Sequence, residues 1–200
     1  MKYTGKWVVS LLMGSLTLGA ASMSAQALTL NYKGFYDRMK PLYQGEINQL
    51  TLGFYFNHRL EKRPCEIKSG FIQGRYGKLP LLVSDEQQLL LPYDINLRNN
   101  SATITVELED EPQCDFAMQI QAQLWGQTHY TKPQLVELQQ QMNLLMEEYA
   151  GVGFGWMQPK VVGLTFNFDG KEAVEVKPES LPDDAVLDFD TAPTRISPLM

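Results

Sequence analysis

The chain has 200 residues, of which 44% are hydrophobic and 20% are charged, and its net charge at pH 7 is −6. An acidic chain without clustered Lys and Arg does not fit nucleic-acid binding, because even its densest basic stretch, residues 58–63, contains Glu61.

The first 27 residues have the three parts of a secretory signal peptide. Lys2 and Lys6 come first, an uncharged stretch follows from Trp7 to Met23, and Ala25-Gln26-Ala27 supplies the small residues of an A-x-A cleavage site. No cysteine lies near that site, so we expect a soluble product that is cleaved after Ala27 and has no stable membrane anchor. The alternative is that residues 7–27 remain as an anchor. Cleavage would remove two of the 17 basic residues and none of the 23 acidic ones, which leaves a net charge of −8.

The segments after the signal peptide predict mostly strands. A short helix is predicted over 35–40, before Pro41, and weaker strand patterns cover 28–32, 66–73, 79–83, 88–92 and 173–177. Four strands are indicated by apolar residues at every second position: Leu50, Leu52, Phe54 and Phe56; Ala102, Ile104, Val106 and Leu108; Phe116, Met118, Ile120, Ala122 and Leu124; Val162, Leu164, Phe166 and Phe168.

One long helix is predicted over residues 133–150. Thr131 and Gln134 form a capping box at its start, Gly151 ends it, and the run Gln139-Gln140-Gln141 is expected on its outer face. An apolar stripe recurs at spacings of three and four and is expected to pack on the sheet, with docking of a partner helix as the alternative: Leu135, Leu138, Met142, Leu145 and Tyr149.

The predicted fold is α+β: a mainly antiparallel β-sheet or sandwich with one long amphipathic helix in its C-terminal half. We expect a single β-rich domain over 28–177. Residues 178–200 contain four prolines and four aspartates and predict a tail, although Ala185-Val186-Leu187 is also compatible with an edge strand.

Cys65 and Cys114 are the only cysteines, and each precedes a predicted strand. An even cysteine count in an exported protein predicts a disulfide between them. The alternative, a zinc site, would need both cysteines together with His58 and His129.

The sequence contains no G-x-S-x-G elbow, Walker loop, H-E-x-x-H helix or EF-hand loop, and we expect no cofactor or metal. The glycine-rich stretch 151–155 follows a helix and is succeeded by Trp156, so it is not a phosphate loop. Phe154 and Trp156 in this stretch form a candidate ligand or partner loop, or else turn into the core. The acidic residues between 107 and 115 are expected to form a charged turn, with a cation site as the alternative.

Several short motifs resemble those of a known family: Leu30 to Arg38, Pro64-Cys65-Glu66-Ile67, Leu89 to Asp94, Cys114 and Gly163-Leu164. The chain resembles secreted Gram-negative proteins classified as a domain of unknown function, number two-nine-eight-seven. The resemblance implies a periplasmic protein without known activity, and it assigns no catalytic or binding residue.

Two functions are compatible with these features. The first is a non-enzymatic periplasmic binding or accessory protein, with another envelope protein as its partner. The second is an envelope hydrolase acting on wall or glycan material, with paired carboxylates or with His58 and His129 as acid and base. The sequence does not determine an oligomeric state.

Overall fold

The computed structural model describes residues 27–45, 47–61, 63–123, 126–151 and 159–200. The helices in these ranges are α1 (Tyr32–Gln44), α2 (Ile95–Asn99) and α3 (Lys132–Ala150). The strands are β1 (Ala27–Asn31), β2 (Leu50–His58), β3 (Ile67–Gly74), β4 (Gly77–Pro80), β5 (Leu82–Val83), β6 (Leu89–Leu90), β7 (Thr103–Leu108), β8 (Cys114–Ala122), β9 (His129–Thr131), β10 (Gly163–Asn167), β11 (Val174–Val176), β12 (Val186–Asp188) and β13 (Arg195–Leu199). The chain therefore has the predicted α+β class.

Every strand pairing in these ranges is antiparallel. A four-stranded sheet has the order β1-β7-β3-β4, and a three-stranded sheet has the order β11-β10-β13. β2 pairs with β8, β5 with β6, and β9 with β12. β13 also lies beside β8, which brings the three-stranded sheet next to the β2–β8 pair.

The core lies where the strand alternation predicts it. Helix α1 covers β2, and the Phe35 ring meets the Phe54 ring edge-on at 5.1 Å between centroids. A second aromatic cluster joins Tyr130, Phe166 and Phe189. The predicted core faces of β2 and β7 are all buried: Leu50, Leu52, Phe54, Phe56, Ala102, Ile104, Val106 and Leu108.

Two residues that the alternation predicts for a core face are exposed in the described part of the chain. Val162 is 44% exposed while Val161 is buried, because β10 begins only at Gly163 and the Val161 N–H donates to Asn143 Oδ1 of α3 at 2.9 Å. Phe116 packs on the Phe35 ring at 5.4 Å yet remains 42% exposed. Leu124, predicted to continue that strand, lies outside the described residues.

Helix α1 is longer than predicted. It begins at Tyr32, where the Asn31 side chain accepts a hydrogen bond from Lys33 N at 2.9 Å, and it continues through Pro41 to Gln44. The proline removes one helical N–H donor without ending the helix. The sequence did not predict the short helix α2, whose first turn is capped by Asp94 Oδ1 accepting from Asn96 N at 2.7 Å.

Helix α3 begins and ends within one residue of its predicted limits. The Thr131–Gln134 capping box is present, and Gly151 follows the helix with a φ of +80°, a value that favours glycine. The predicted position of the glutamine run is wrong, because Gln139 and Gln141 are buried and only Gln140 is exposed. Consecutive helical residues are about 100° apart, so three of them cannot share one face.

The two buried glutamines join α3 to the chain on both sides. Gln141 Oε1 accepts hydrogen bonds from Asn48 N at 3.1 Å and Gln49 N at 3.0 Å, just before β2. Gln139 Nε2 donates to Val161 O at 2.9 Å, just before β10. These bonds hold the helix between two sheets in addition to its apolar stripe.

The segment 178–200, with its tail-like composition, contributes two strands. β13 pairs with β10 over five residues, and β12 pairs with β9. The edge-strand alternative for residues 185–187 therefore describes the structure there.

No helix in the described part of the chain is long and apolar enough to cross a membrane. The predicted signal peptide lies outside that part, except for Ala27, which begins β1.

Candidate ligand-binding cleft

An apolar cleft of about 430 Å³ lies beside β2. We call it the β2 cleft. It is open to solvent along one side, where Leu79, Leu82 and Leu90 are between 44% and 60% exposed. Its walls come from α1, from β2, from the β3–β4 hairpin and from the chain around β5 and β6: Met39, Leu42, Tyr43, Thr51, Leu52, Phe54, Ile72, Leu79, Pro80, Leu82, Gln88, Leu89, Leu90, Leu91 and Pro92. None of these lining residues carries a charge.

The middle of β2 has no strand partner on one edge, although Leu52 and Phe54 there are buried, with 5% and 1% exposure. Bonds at both ends of the β2–β8 ladder, from Gln123 N to Gln49 O and from Arg59 N to Gln113 O, fix which β2 residues bond to β8. They are the odd-numbered ones, because hydrogen-bonded pairs alternate along an antiparallel ladder. The N–H and C=O groups of the even-numbered residues therefore point to the opposite edge.

That opposite edge has partners near both ends, and at the start of β2 Leu50 O accepts from Gln123 Nε2 at 3.1 Å. Phe56 O accepts from Cys65 N at 2.7 Å, and His58 N donates to Arg63 O at 2.8 Å. Leu52 and Phe54, which line the cleft, have no strand partner on this edge among the described residues. β6 lies beside β2 but is not paired with it.

Hydrogen bonds fix the chain segment that forms the outer wall of the cleft. Tyr55 OH donates to Gln88 Oε1 at 2.9 Å, and Gln121 Nε2 donates to Tyr55 OH at 2.8 Å. At the other end of the wall, Tyr32 OH donates to Pro92 O and accepts from Asp94 N. The wall is therefore anchored to β2 and to α1.

A stack of three tyrosines reaches the cleft through Tyr43, which lines it. The Tyr93 ring lies between Tyr36, at a centroid distance of 4.4 Å, and Tyr43, at 4.1 Å, and the rings are nearly parallel. The Arg98 guanidinium lies 5.9 Å from the Tyr36 ring centroid at the far end of the stack. The neighbouring Tyr36 hydroxyl raises the pKa of Tyr93 to about 12. Tyr43 is 61% exposed, so one face of the stack is open to a ligand.

The residues predicted for chemistry lie away from this cleft. His58 is buried at the end of β2, opposite Cys114, and its Nδ1 accepts from Glu61 N at 3.2 Å. His129 is exposed on β9, where it pairs with Asp188. The two histidines are thus in different sheets, and no group of three or more His, Cys, Asp or Glu in the described ranges could hold a metal ion.

The disulfide between Cys65 and Cys114 is present, with 6.3 Å between the Cα atoms. Cys65 bonds to the outer edge of β2 through its N–H, and Cys114 begins β8, on the other side of β2. The bridge therefore holds the segment that covers this edge of β2 at its C-terminal end.

Two of the five acidic residues between 107 and 115 have a basic partner. Arg59 binds the Asp115 carboxylate through two nitrogens, at 2.9 and 3.0 Å, and lowers its pKa. Lys68 lies 3.3 Å from Glu109 and likewise lowers the pKa of that carboxyl group. This arrangement fits the predicted charged turn better than a cation site.

Two further predicted features lie outside the described residues: the candidate loop residues Phe154 and Trp156, and Ala25 of the cleavage site. Sequence reasoning missed the β2 cleft, although its wall contains the run Leu89-Leu90-Leu91-Pro92-Tyr93. Three consecutive leucines before a proline and a tyrosine could have indicated an apolar surface at this segment. They do not show which side chains face a groove.

A family model described as "Protein of unknown function (DUF2987)" matches residues 24–168. This range includes the whole β2 cleft and both cysteines. A search of curated proteins and a search of solved structures found no match.

Proposed function

Since the chain belongs to the DUF2987 family, whose function is unknown, we propose from its own residues that it is an exported, non-enzymatic binding or accessory protein of the cell envelope. Its ligand site is the β2 cleft, and its ligand is an uncharged, apolar group. The observation that carries this proposal is a cleft of about 430 Å³ with an uncharged lining and one open side. Ligand pockets typically begin at about 300 Å³ and are lined mainly by apolar and aromatic side chains.

Export to the periplasm is part of this proposal. It is supported by the three-part pattern of residues 1–27 and by the Cys65–Cys114 disulfide, because disulfides persist in oxidising compartments. Intact-mass measurement of the protein from the periplasmic fraction should give a chain beginning at Leu28. A mass that includes Met1 to Ala27, or recovery only from the cytoplasm, would contradict export.

The β2 cleft does not support the hydrolase alternative, whose carboxylate pairs occur instead in two other clefts, one lined by Asp37 and Glu148 and one by Glu172, Asp188 and Asp190. The lining of the β2 cleft contains no His, Asp or Glu among the described residues, and general acid–base catalysis needs such groups near the reacting atoms.

Binding in the cleft can be tested with the uncharged fluorescent probe N-phenyl-1-naphthylamine, whose emission increases in apolar sites. The wild-type protein should bind it, and Leu82→Glu should weaken binding by at least about tenfold, because the bound probe would remove water from a carboxylate at the open side of the cleft. Leu60→Glu is the matched control, since Leu60 is 80% exposed and does not line the cleft. Equal binding by both variants would place the probe elsewhere and refute this use of the cleft.

A further inference from the structure

The tip of the β3–β4 hairpin presents an aromatic side chain and two cations to solvent. Arg75 and Tyr76 form the two-residue turn between the paired ends of the strands, and Tyr76 is 90% exposed. The Arg75 guanidinium lies 5.8 Å from the Tyr76 ring centroid, and Lys78 Nζ lies 4.0 Å from the Phe71 ring centroid. The tip therefore combines an exposed ring with positive charge.

Exposed apolar side chains continue from this tip to the β2 cleft. Leu79 lines both the cleft and a groove of about 470 Å³ between the hairpin tip and α2, so the two surfaces are continuous. Leu82 and Leu90 follow on the open side of the cleft. Single exposed apolar residues are ordinary, whereas a contiguous group marks an interaction site. We define the hairpin surface by six residues: Arg75, Tyr76, Lys78, Leu79, Leu82 and Leu90.

The charge of this region is opposite to that of the whole chain. Residues 67–84 contain no Asp or Glu, although the chain has 23 of them and a net charge of −6. In the described ranges neither Arg75 nor Lys78 forms an ion pair, and the carboxylate of Asp94 in the groove caps α2 by accepting from Asn96 N at 2.7 Å. We infer that the hairpin surface binds a lipid bilayer that contains anionic headgroups. This inference goes beyond the proposed ligand site.

The shape of the hairpin surface favours a bilayer over a protein strand. Lys78 and Leu79 leave β4 on opposite faces of the sheet, so only an approach to the edge of β4 reaches both. β4 is the last strand of its sheet, and all of its residues are exposed. Leu81 N donates to Gly70 O at 3.3 Å, which places Pro80 and its missing N–H on the free side of β4. An added strand would need that donor, whereas a lipid surface does not.

A bilayer interface matches both chemical parts of the hairpin surface. Tyrosine is enriched at such interfaces, because its ring contacts acyl chains while its hydroxyl stays hydrated. Each Lys or Arg near an anionic lipid surface strengthens binding by about fivefold. Apolar insertion and cations act together, since either alone gives only marginal binding. The acidic remainder of the protein is repelled by the same lipids, so the protein binds with the hairpin first and the open side of the β2 cleft beside the membrane.

Co-sedimentation with vesicles measures this binding. The mature protein should bind phosphatidylcholine vesicles with about 30 mol% phosphatidylglycerol at least about tenfold more tightly than vesicles of phosphatidylcholine alone. The double variant Arg75→Gln/Lys78→Gln should lose at least about tenfold of this affinity. Lys160→Gln/Lys177→Gln is the matched control, because it removes two exposed cations elsewhere, and it should bind like the wild type. Equal binding to both kinds of vesicle, or equal losses in the two double variants, would overturn the inference.

A tryptophan at position 76 reports whether the tip enters the bilayer. Vesicles with phosphatidylglycerol should shift the emission of Tyr76→Trp to shorter wavelength relative to wild type, and lipids with brominated acyl chains should quench it. Leu60→Trp is the control, because Leu60 is exposed in the turn between β2 and β3 and should stay in water. Absence of quenching at position 76, or equal quenching at both positions, would contradict insertion of the tip.

The naphthylamine probe separates failure of this inference from failure of the proposed function. Without vesicles, Arg75→Gln/Lys78→Gln should bind the probe like the wild type, since neither residue lines the β2 cleft. If the probe binds but vesicles do not, the membrane surface is wrong and the ligand site remains. If sedimentation equilibrium shows a dimer that Tyr76→Ser dissociates, a second copy covers the hairpin surface and the inference is likewise overturned.

Discussion

Replacing Gln141 by methionine should destabilise the protein, although methionine has a similar size and favours helix. Gln141 is buried on α3, where its side-chain oxygen accepts from the backbone N–H groups of Asn48 and Gln49 at 3.1 and 3.0 Å. A thioether cannot replace these bonds, because its sulfur is a weak acceptor. Two N–H groups at the start of β2 would lose their acceptor.

The expected cost follows from those two groups. An unsatisfied buried donor costs about 1–3 kcal/mol, and Asn48 is exposed enough for water to reach part of the site. We therefore expect the free energy of unfolding to fall by about 2–3 kcal/mol, which is the lower end of the range for two unsatisfied donors. In a domain of this size, such a loss corresponds to a decrease of about 5–10 °C in Tm.

Urea unfolding followed by circular dichroism measures this loss, and Gln140→Met is its matched control. Gln140 is adjacent on the same helix and exposed, so its replacement should change the unfolding free energy by no more than about 0.5 kcal/mol. If Gln141→Met costs no more than Gln140→Met, the two backbone bonds do not hold α3 to β2, and the reasoning fails.

Three further predictions concern stability. Gly163→Ala should destabilise the protein by about 1–3 kcal/mol, because its Cβ would lie 2.5 Å from a carbonyl oxygen of the neighbouring strand. Gly34→Ala in α1, where the new Cβ would make only ordinary contacts, should stabilise the protein by about 0.5–1 kcal/mol. Equal effects of the two substitutions on urea unfolding would contradict this. Reduction of the Cys65–Cys114 bond, 49 residues apart in sequence, should lower the unfolding free energy by about 4 kcal/mol, measured with and without dithiothreitol; no change on reduction would refute it. The pKa of Tyr93 in the folded protein is about 12, above the usual value near 10, so the stability that Tyr93 contributes is complete below pH 10 and is lost as the pH rises towards 12. Between pH 9 and 11 the Tyr93→Phe variant should therefore lose less unfolding free energy than the wild type. Identical losses would disprove the raised pKa of Tyr93.

Sequence patterns predicted elements wherever a local cause was sufficient. The alternation in β7 identified a fully buried face, and the Thr131–Gln134 box and Gly151 identified both ends of α3. The start of β10 was misplaced by one residue at Val161 and Val162, because the hydrogen bonds of Val161 to α3, not the alternation, decide which valine is buried.

The candidate site could not be predicted in the same way. Its tyrosine stack joins Tyr36 and Tyr43 of α1 to Tyr93, about fifty residues later, and no spacing rule connects them. The burial of Gln139 and Gln141 depends on which chain segments lie on the two sides of α3. These contacts are between residues distant in sequence, so only the folded chain shows them.

The sequence by itself determined the α+β class, most of the strands and the long helix, because side-chain periodicity and capping are local properties of consecutive residues. It also predicted the disulfide, since two cysteines leave a single pairing. The tertiary structure alone decided that segment 178–200 supplies strands and that an uncharged cleft lies beside β2. Strand order and groove formation depend on the free energy of packing segments that are distant in sequence, which no local pattern encodes.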